Sequence, residues 1–371
     1  MALSKVDLAN QVENQLPQNL VANNLPFRNI IINGDMSIAQ RGTSESGITS
    51  SGYRTVDRWN SILVTLGTWT QSQSTDVPTG QGFAKSLKMD CTTADASPAS
   101  GDFLFLLQRV EGQNVQYLKK GTANAESLTL SFWVKSNKTG TYICELDDND
   151  NTRNINKSYT INSADTWEKK TITFAGDTTG AFDNDNGNSL QVIWWLGAGS
   201  DYSSGTLNNA WESTTNANRA VGQVNLADST SNYINITGVQ LEAGTTASDF
   251  EFLPYDVNLK RCQRYYYRIN PNGTSGSIGS AAYYISTAAF TSLNFPTSMR
   301  TPPSLESVTG TNYYNINRNG DNDFFNDFSL NTSNIDSADL YTDSNLSSTS
   351  GDAGRTRFAS ASGYVAFNSE L

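Results

Sequence analysis

A chain of 371 residues without a single histidine lacks the usual general base, the commonest zinc ligand and every histidine-containing triad, which leaves carboxylate pairs as the main route to catalysis. A formal net charge of −11 excludes the Lys/Arg-rich surface that displaces counterions from a phosphate backbone, so no nucleic-acid partner is expected. The length suffices for two or three domains, and the abundance of Ser, Thr, Asn, Gly and aromatics predicts many short strands joined by turns.

In chain order, residues 1–27 stand apart. Ser4 and Asp7 are in near capping-box relation, and Leu8, Val12 and Leu16 recur every fourth residue until Pro17 ends the pattern. About three turns is marginal for an isolated helix in water, so this stripe needs either its own domain or another chain to cover it.

Strand patterns begin at Arg28 to Ile32, with turn chemistry at Gly34-Asp35. Leu128-Thr129-Leu130-Ser131-Phe132-Trp133-Val134-Lys135 alternates, placing Leu128, Leu130, Phe132 and Val134 on one face and Trp133 on the other. Tyr142 to Leu146 is expected to continue as its partner after the turn Asn137 to Gly140. Trp167 to Phe174 and Leu190 to Leu196 are further strands, followed by a long loop from Gly197 to Gln223, a spacing suited to an antiparallel sandwich. Residues 256–264 are expected to form a linker helix capped by Asp256. Beyond it, Tyr265 to Ile269, Ala282 to Ser286, Ala288 to Phe295, Tyr313 to Ile316, Phe324 to Leu330 and Arg357 to Phe367 read as strands of a smaller domain, residues 265–371.

Cys91, Cys144 and Cys262 are far apart and odd in number, which argues against a disulfide framework and for synthesis in a reducing cytoplasm. No apolar run reaches the length of a membrane span, and MALSKVDLAN lacks the basic and apolar regions of a signal peptide.

Two acidic turns, Asp147 to Asn151 and Asp183 to Asn188, offer hard oxygen ligands, with Asp183 and Asp185 the best calcium candidates. Glycine at the fifth position of the second turn and the missing terminal glutamate favour a purely conformational use, so no metal or other cofactor is expected. The aromatic candidates are Trp194 and Trp195, which alternation points to opposite faces of one strand, Tyr202 and Trp211 in the following loop, and Tyr313 and Tyr314 in the smaller domain. Such rings stack on the apolar faces of sugars, although a loop aromatic also serves to pin its loop.

Two long motifs give the chain a family resemblance. Asn29-Ile30-Ile31-Ile32-Asn33-Gly34-Asp35-Met36-Ser37-Ile38-Ala39-Gln40-Arg41-Gly42, leading to Tyr53-Arg54-Thr55-Val56-Asp57-Arg58-Trp59, opens the region. Ile236-Thr237-Gly238-Val239-Gln240-Leu241-Glu242-Ala243-Gly244, with Asp249-Phe250-Glu251-Phe252-Leu253-Pro254-Tyr255 and Leu259-Lys260-Arg261-Cys262-Gln263-Arg264-Tyr265-Tyr266-Tyr267, closes it. Together they resemble the carbohydrate-binding-module-like jelly rolls of phage tail-fibre and related virion proteins, bracketing residues 28–255. The resemblance implies an all-β protein with an antiparallel jelly-roll sandwich, a short N-terminal helical or extended anchor and a smaller C-terminal β domain. It implies a virion location, a homotrimer, attachment to other virion proteins through residues 1–27, and a host-surface polysaccharide or other receptor as partner, with no enzymatic activity. The alternatives are a head fibre or capsid-decoration protein, and a polysaccharide depolymerase or accessory module. If the chain is an adhesin, its outermost part is expected to carry the decisive contacts, through Tyr313-Tyr314, Phe324-Phe325 and Tyr341.

Overall fold

The computed structural model describes residues 27–271, 276–318 and 320–371, and the helical stripe expected within residues 1–27 lies outside them apart from Phe27. The chain divides into two compact units, with the break between Leu253 and Pro254. It is all-β. Among the described residues no helix is long and apolar enough to cross a membrane.

The first unit is an antiparallel jelly-roll sandwich. Its strands are β1 (Ser44–Ile48), β2 (Gly52–Tyr53), β3 (Asn60–Val64), β4 (Thr68–Ser74), β5 (Ser86–Thr93), β6 (Phe103–Glu111), β7 (Leu128–Ser136), β8 (Gly140–Asp148), β9 (Arg153–Ile161), β10 (Glu168–Phe174), β11 (Asn188–Ala198), β12 (Glu212–Ser213) and β13 (Tyr233–Ala243). One sheet has the order β1-β4-β5-β13-β7-β10 and the other β12-β9-β8-β11-β6-β3-β2. The core between them takes Leu130, Phe132 and Val134 from β7, and Tyr142, Cys144 and Leu146 from β8. Trp59 and Trp194 meet in its middle with ring centroids 5.3 Å apart.

Two sequence expectations change here. Residues 28–32 do not form a strand. All three isoleucines are buried, whereas a strand with one buried face would show alternation. Side chains take up most of the backbone bonding: Ile31 N donates to Asn29 Oδ1 at 3.0 Å, and Gln108 both accepts from Ile32 N and donates to its carbonyl. The segment is a core plug. The expected β7–β8 hairpin also does not form, because the turn at Asn137 to Gly140 carries the chain into the other sheet, where β8 pairs with β9 and β11. The inward faces of β7 and β8 thereby oppose one another across the core instead of lying side by side.

The second unit begins with helix α2 (Tyr255–Gln263), α1 being the short turn Ser200–Ser203 of the first. Pro254, not Asp256, is its N-cap; Asp256 sits inside the first turn, where its charge still suits the positive helix end. The strands are β14 (Tyr266–Ile269), β15 (Ser277–Ile285), β16 (Ala288–Asn294), β17 (Ser304–Ser307), β18 (Tyr314–Arg318), β19 (Asp321–Phe325), β20 (Ser329–Ser333), β21 (Ser337–Thr342), β22 (Ala353–Phe358) and β23 (Val365–Asn368). They form a three-stranded sheet, β14-β23-β17, and a seven-stranded one, β19-β18-β22-β15-β16-β21-β20. The runs expected at 324–330 and 357–367 each split into two strands around a turn. The polar segments β17 and β21, which carry no strong strand signal in the sequence, complete the sheets. The three cysteines are buried and none forms a disulfide among the described residues.

Candidate functional site

Alternation along β7 sends Thr129, Ser131, Trp133 and Lys135 to the outer face of the six-stranded sheet. Trp133 is half-buried there, opposite Thr237 of β13 and Lys169 of β10. Between Thr237 and Gln240 the β13 ladder slips by one residue against β7, a bulge in which Gly238 adopts φ +62°. A Cβ at Gly238 would lie 2.5 Å from the Phe83 ring, so only glycine lets that ring rest on the bulge. Phe83 in turn packs against Phe250 and Phe252, with centroids 5.1 Å from each, and those two rings meet edge to face at 4.8 Å.

The result is a cleft of about 310 Å³ lined by Trp133 and the three phenylalanines, with Gln81, Ser131, Lys169 and Asp249 as its polar groups. Phe252 remains 51% exposed, an apolar surface that solvent reaches. Lys135, two residues along β7, is engaged by Asp76 at 2.8 Å, whereas Lys169 is exposed and makes no ion pair among the described residues.

Both sequence motifs converge on this wall. Gln240, fully buried, donates to Glu242 Oε1 at 2.9 Å and Ser248 Oγ at 3.0 Å and accepts from Glu251 N at 2.8 Å. Glu242 takes Ser248 N and Ser248 Oγ, and Glu251 Oε2 accepts from Asn29 N at 3.0 Å. These bonds clamp the segment that carries Asp249, Phe250 and Phe252. From the opening motif, Gly34 O accepts from Val239 N at 2.9 Å and Leu241 O from Ile30 N, bracing the bulge from behind.

The residues picked from sequence lie elsewhere; of these, Trp195 and Tyr202 are brought into ring contact, under the loop that follows β11. Trp194 is fully buried between Trp59 and Phe132. Trp195 does face away from that core, yet it too is fully buried, because the loop after β11 folds over it. Its Nε1 donates to Glu145 Oε2 at 2.7 Å, its ring touches Phe105 and Tyr202, and the Arg219 guanidinium lies over it. Tyr202 packs on Phe103, and Trp211 donates to the Ala175 carbonyl at 2.7 Å with the Lys120 ammonium over its ring, so both pin the loop. Tyr314 is fully buried with its hydroxyl on the Val308 and Tyr364 carbonyls, and Tyr313 is half-buried against the same core. A sugar platform built on Trp194, Trp195 or Tyr314 is therefore excluded by burial.

In the acidic turns Asp148, Asp150 and Asp185 spend carboxylate oxygens on local backbone amides. Asp148 Oδ1 accepts from the amides of Asp150 and Asn151, Asp185 Oδ1 from Gly187 N at 2.7 Å, and Asp183 N donates to Asp150 Oδ2. Among the described residues no group of three His, Cys, Asp or Glu side chains is placed to hold a metal ion.

Beneath the loop, Glu145 and Asp147 share the outer face of β8. Burial, reinforced by the neighbouring Glu145 carboxylate and opposed by Arg219, pushes the Asp147 carboxyl up to about 7. In the unfolded chain it ionises near ~3.9, so between the two values the folded state holds the extra proton and loses stability as pH rises. Asp147→Asn is expected to leave Tm nearly unchanged at acid pH and to raise stability above neutral pH by about 2 kcal/mol, half of the full shift because the side chain keeps some solvent contact. Thermal melts of both proteins at acid, neutral and mildly alkaline pH check this; parallel curves would refute it.

No protein-family model matches the sequence, and no curated protein matches it. Among solved structures the chain is similar to the enzymatically active domain of tailspike protein 4 from bacteriophage CBA120, at 14% identity and TM-score 0.31, covering 59% of this chain and 22% of that one. The chain thus spans under a quarter of that tailspike domain. It is also similar to a protein described as sugar-binding from Bacteroides thetaiotaomicron, at 14% identity and TM-score 0.31, covering 58% of this chain and 99% of that one. A family 11 carbohydrate-binding module from Clostridium thermocellum, in complex with a mixed-linked tetrasaccharide, matches at 12% identity and TM-score 0.27, covering 56% and 99%.

Proposed function

We propose that this chain is a non-catalytic virion protein of the tail-fibre kind that holds a host-surface glycan, and that the Trp133 cleft is the contact in its jelly roll. The observation that carries the reading is an outward tryptophan beside an exposed phenylalanine, bordered by the free ammonium of Lys169, the amide of Gln81 and the carboxylate of Asp249. A pyranose presents an apolar C–H face and an edge of hydroxyls; the rings take the first and the polar border the second. The bulge and the Gln240–Glu242–Ser248 clamp hold the wall in place before any ligand arrives, which limits the ordering cost of binding. Homotrimeric assembly, with residues 1–27 toward the particle, belongs to the same proposal and rests on the family resemblance.

The carboxylate pair Glu145 and Asp147 supports a binding role over hydrolysis. Both Glu145 oxygens are occupied, by Trp195, Asn154 and Arg219, beneath the loop. Trp133→Ala tests the cleft. Affinity for soluble β-glucan, xylan, galactomannan or dextran is expected to fall at least about thirtyfold for whichever polysaccharide binds, the loss of one hot-spot aromatic, while Tm changes little because the ring lies outside the core. Unchanged affinity in the folded variant would sink the assignment.

A further inference from the structure

The second unit carries a separate aromatic surface. On its seven-stranded sheet, Ala281, Tyr283, Ala289, Leu293, Ala338 and Leu340 point into the core, so Tyr284, Phe290 and Tyr341 point out. They come from three adjacent strands, β15, β16 and β21, and form a continuous row. Tyr284 and Phe290 have ring centroids 5.7 Å apart, Phe290 and Tyr341 5.4 Å. Tyr284 is 67% exposed, so the row presents a contiguous aromatic surface to solvent, of the kind that marks an interaction site.

The neighbouring row on the same face says what fits. Register places Ser280 against Ser292, Ser292 against Asp339, and Ser280 against Arg355; Ser292 and Asp339 stand two residues, about 7 Å, along their strands from Phe290 and Tyr341, and Ser280 stands four residues from Tyr284. Among the described residues the Arg355 and Asp339 side chains have no hydrogen-bond or ion-pair partner, and Ser280 and Ser292 are exposed. A wholly apolar partner would cover the rings and strand these charges. A chain of pyranoses satisfies both rows at once, with C–H faces on the rings, whose spacing is close to one sugar unit, and hydroxyls reaching Arg355, Asp339 and the serines.

We propose that Tyr284, Phe290 and Tyr341, flanked by Arg355 and Asp339, form a second, flat glycan-binding platform that works independently of the Trp133 cleft. A flat, open surface of this kind takes the middle of a long polysaccharide and binds weakly alone. Two such sites on one chain, multiplied over the copies on a particle, raise avidity without new contacts.

The test uses the full chain in native gels containing β-glucan, xylan, galactomannan or dextran at high concentration. The Trp133→Ala protein is expected to remain retarded by at least one polysaccharide, and adding Tyr284→Ala with Tyr341→Ala to weaken that residual affinity at least tenfold. Arg355→Ala with Asp339→Asn, which leaves the rings in place, is expected to weaken it several-fold and guards against a folding artefact. No retardation of the Trp133→Ala protein in any gel, or retardation that survives loss of the platform, overturns the proposal. So does a change of sedimentation from oligomer to monomer in the platform variant, which would assign the surface to a second copy of the chain. Failure of the cleft reading looks different: Trp133→Ala would then bind like the parent, and the platform substitutions alone would remove retardation.

Discussion

Glu145→Ala is expected to lower the stability of the first unit by about 3–5 kcal/mol, the usual consequence of removing one partner from a buried ion pair. Glu145 is fully buried, and its two oxygens serve three donors: Trp195 Nε1 at 2.7 Å, Asn154 Nδ2 at 2.9 Å and Arg219 Nε at 2.9 Å. Truncation leaves the guanidinium beneath the loop without its counter-charge and two further donors without acceptors, none of which water reaches easily. For a unit of this size the loss corresponds to a drop in Tm of about 10 °C. Glu145→Gln keeps an acceptor for part of this set and is expected to cost less than half as much. The same substitutions carry a second signature: because the Glu145 charge helps to hold the Asp147 carboxyl up, its removal should flatten the fall in stability between acid and neutral pH. A Glu145→Ala protein that melts within about 2 °C of the parent would show that Arg219 finds water or another partner, and that the loop is not anchored here.

How much of this was legible beforehand depended on whether a feature is periodic. The alternation through Leu128 to Lys135 gave both faces of β7, including the outward direction of Trp133, and the adjacent Trp194 and Trp195 were correctly assigned to opposite faces. Periodicity did not say that the segment after β11 folds back over Trp195, because that closure depends on single contacts such as Tyr202 on Phe103 and Arg219 on Glu145. Nothing periodic therefore sets Trp133 above Trp194, Trp195 and Tyr314, which are buried. Its partners Phe83, Phe250 and Phe252 come from segments remote in sequence and meet only through the β13 bulge, whose one local sign is Gly238 within an otherwise regular strand. In the second unit, outward Tyr284, Phe290 and Tyr341 follow from alternation within each strand, but their adjacency requires the strand order β15-β16-β21, which no pattern within a strand encodes. The run Ile30 to Ile32 misleads in the opposite sense: three apolar β-branched residues favour a strand, yet side-chain amides from Asn29 and Gln108 satisfy much of the local backbone and let all three be buried.

Gly34→Ala is expected to be strongly disruptive for so small a substitution, because it strikes where the two sequence motifs meet. A Cβ at this position would stand 2.1 Å from the Val239 carbonyl oxygen and 3.4 Å from the Phe250 ring. The backbone cannot retreat without cost, since Val239 N donates to Gly34 O at 2.9 Å and the Val239 carbonyl accepts from Asn29 Nδ2 at 3.1 Å. One methyl group must therefore break these bonds or displace the β13 bulge, and the bulge supports Phe83 and with it the wall of the cleft. The expected loss is about 3 kcal/mol, the upper end of ordinary overpacking, because backbone and not a flexible side chain stands in the way. Gly101→Ala is the matched control: its added Cβ would approach nothing nearer than the Asp201 carboxylate at 3.7 Å, and stability should stay within about 0.5 kcal/mol of the parent. Denaturant unfolding of the two variants gives the comparison, and polysaccharide affinity adds the functional half. If the bulge holds the wall, Gly34→Ala weakens binding to the Trp133 cleft even at temperatures where the protein is fully folded, whereas Gly101→Ala leaves it alone. Equal stability of the two variants would mean that the motifs meet less tightly than their hydrogen bonds indicate; a destabilised Gly34→Ala protein with undiminished affinity would separate the bulge from the site.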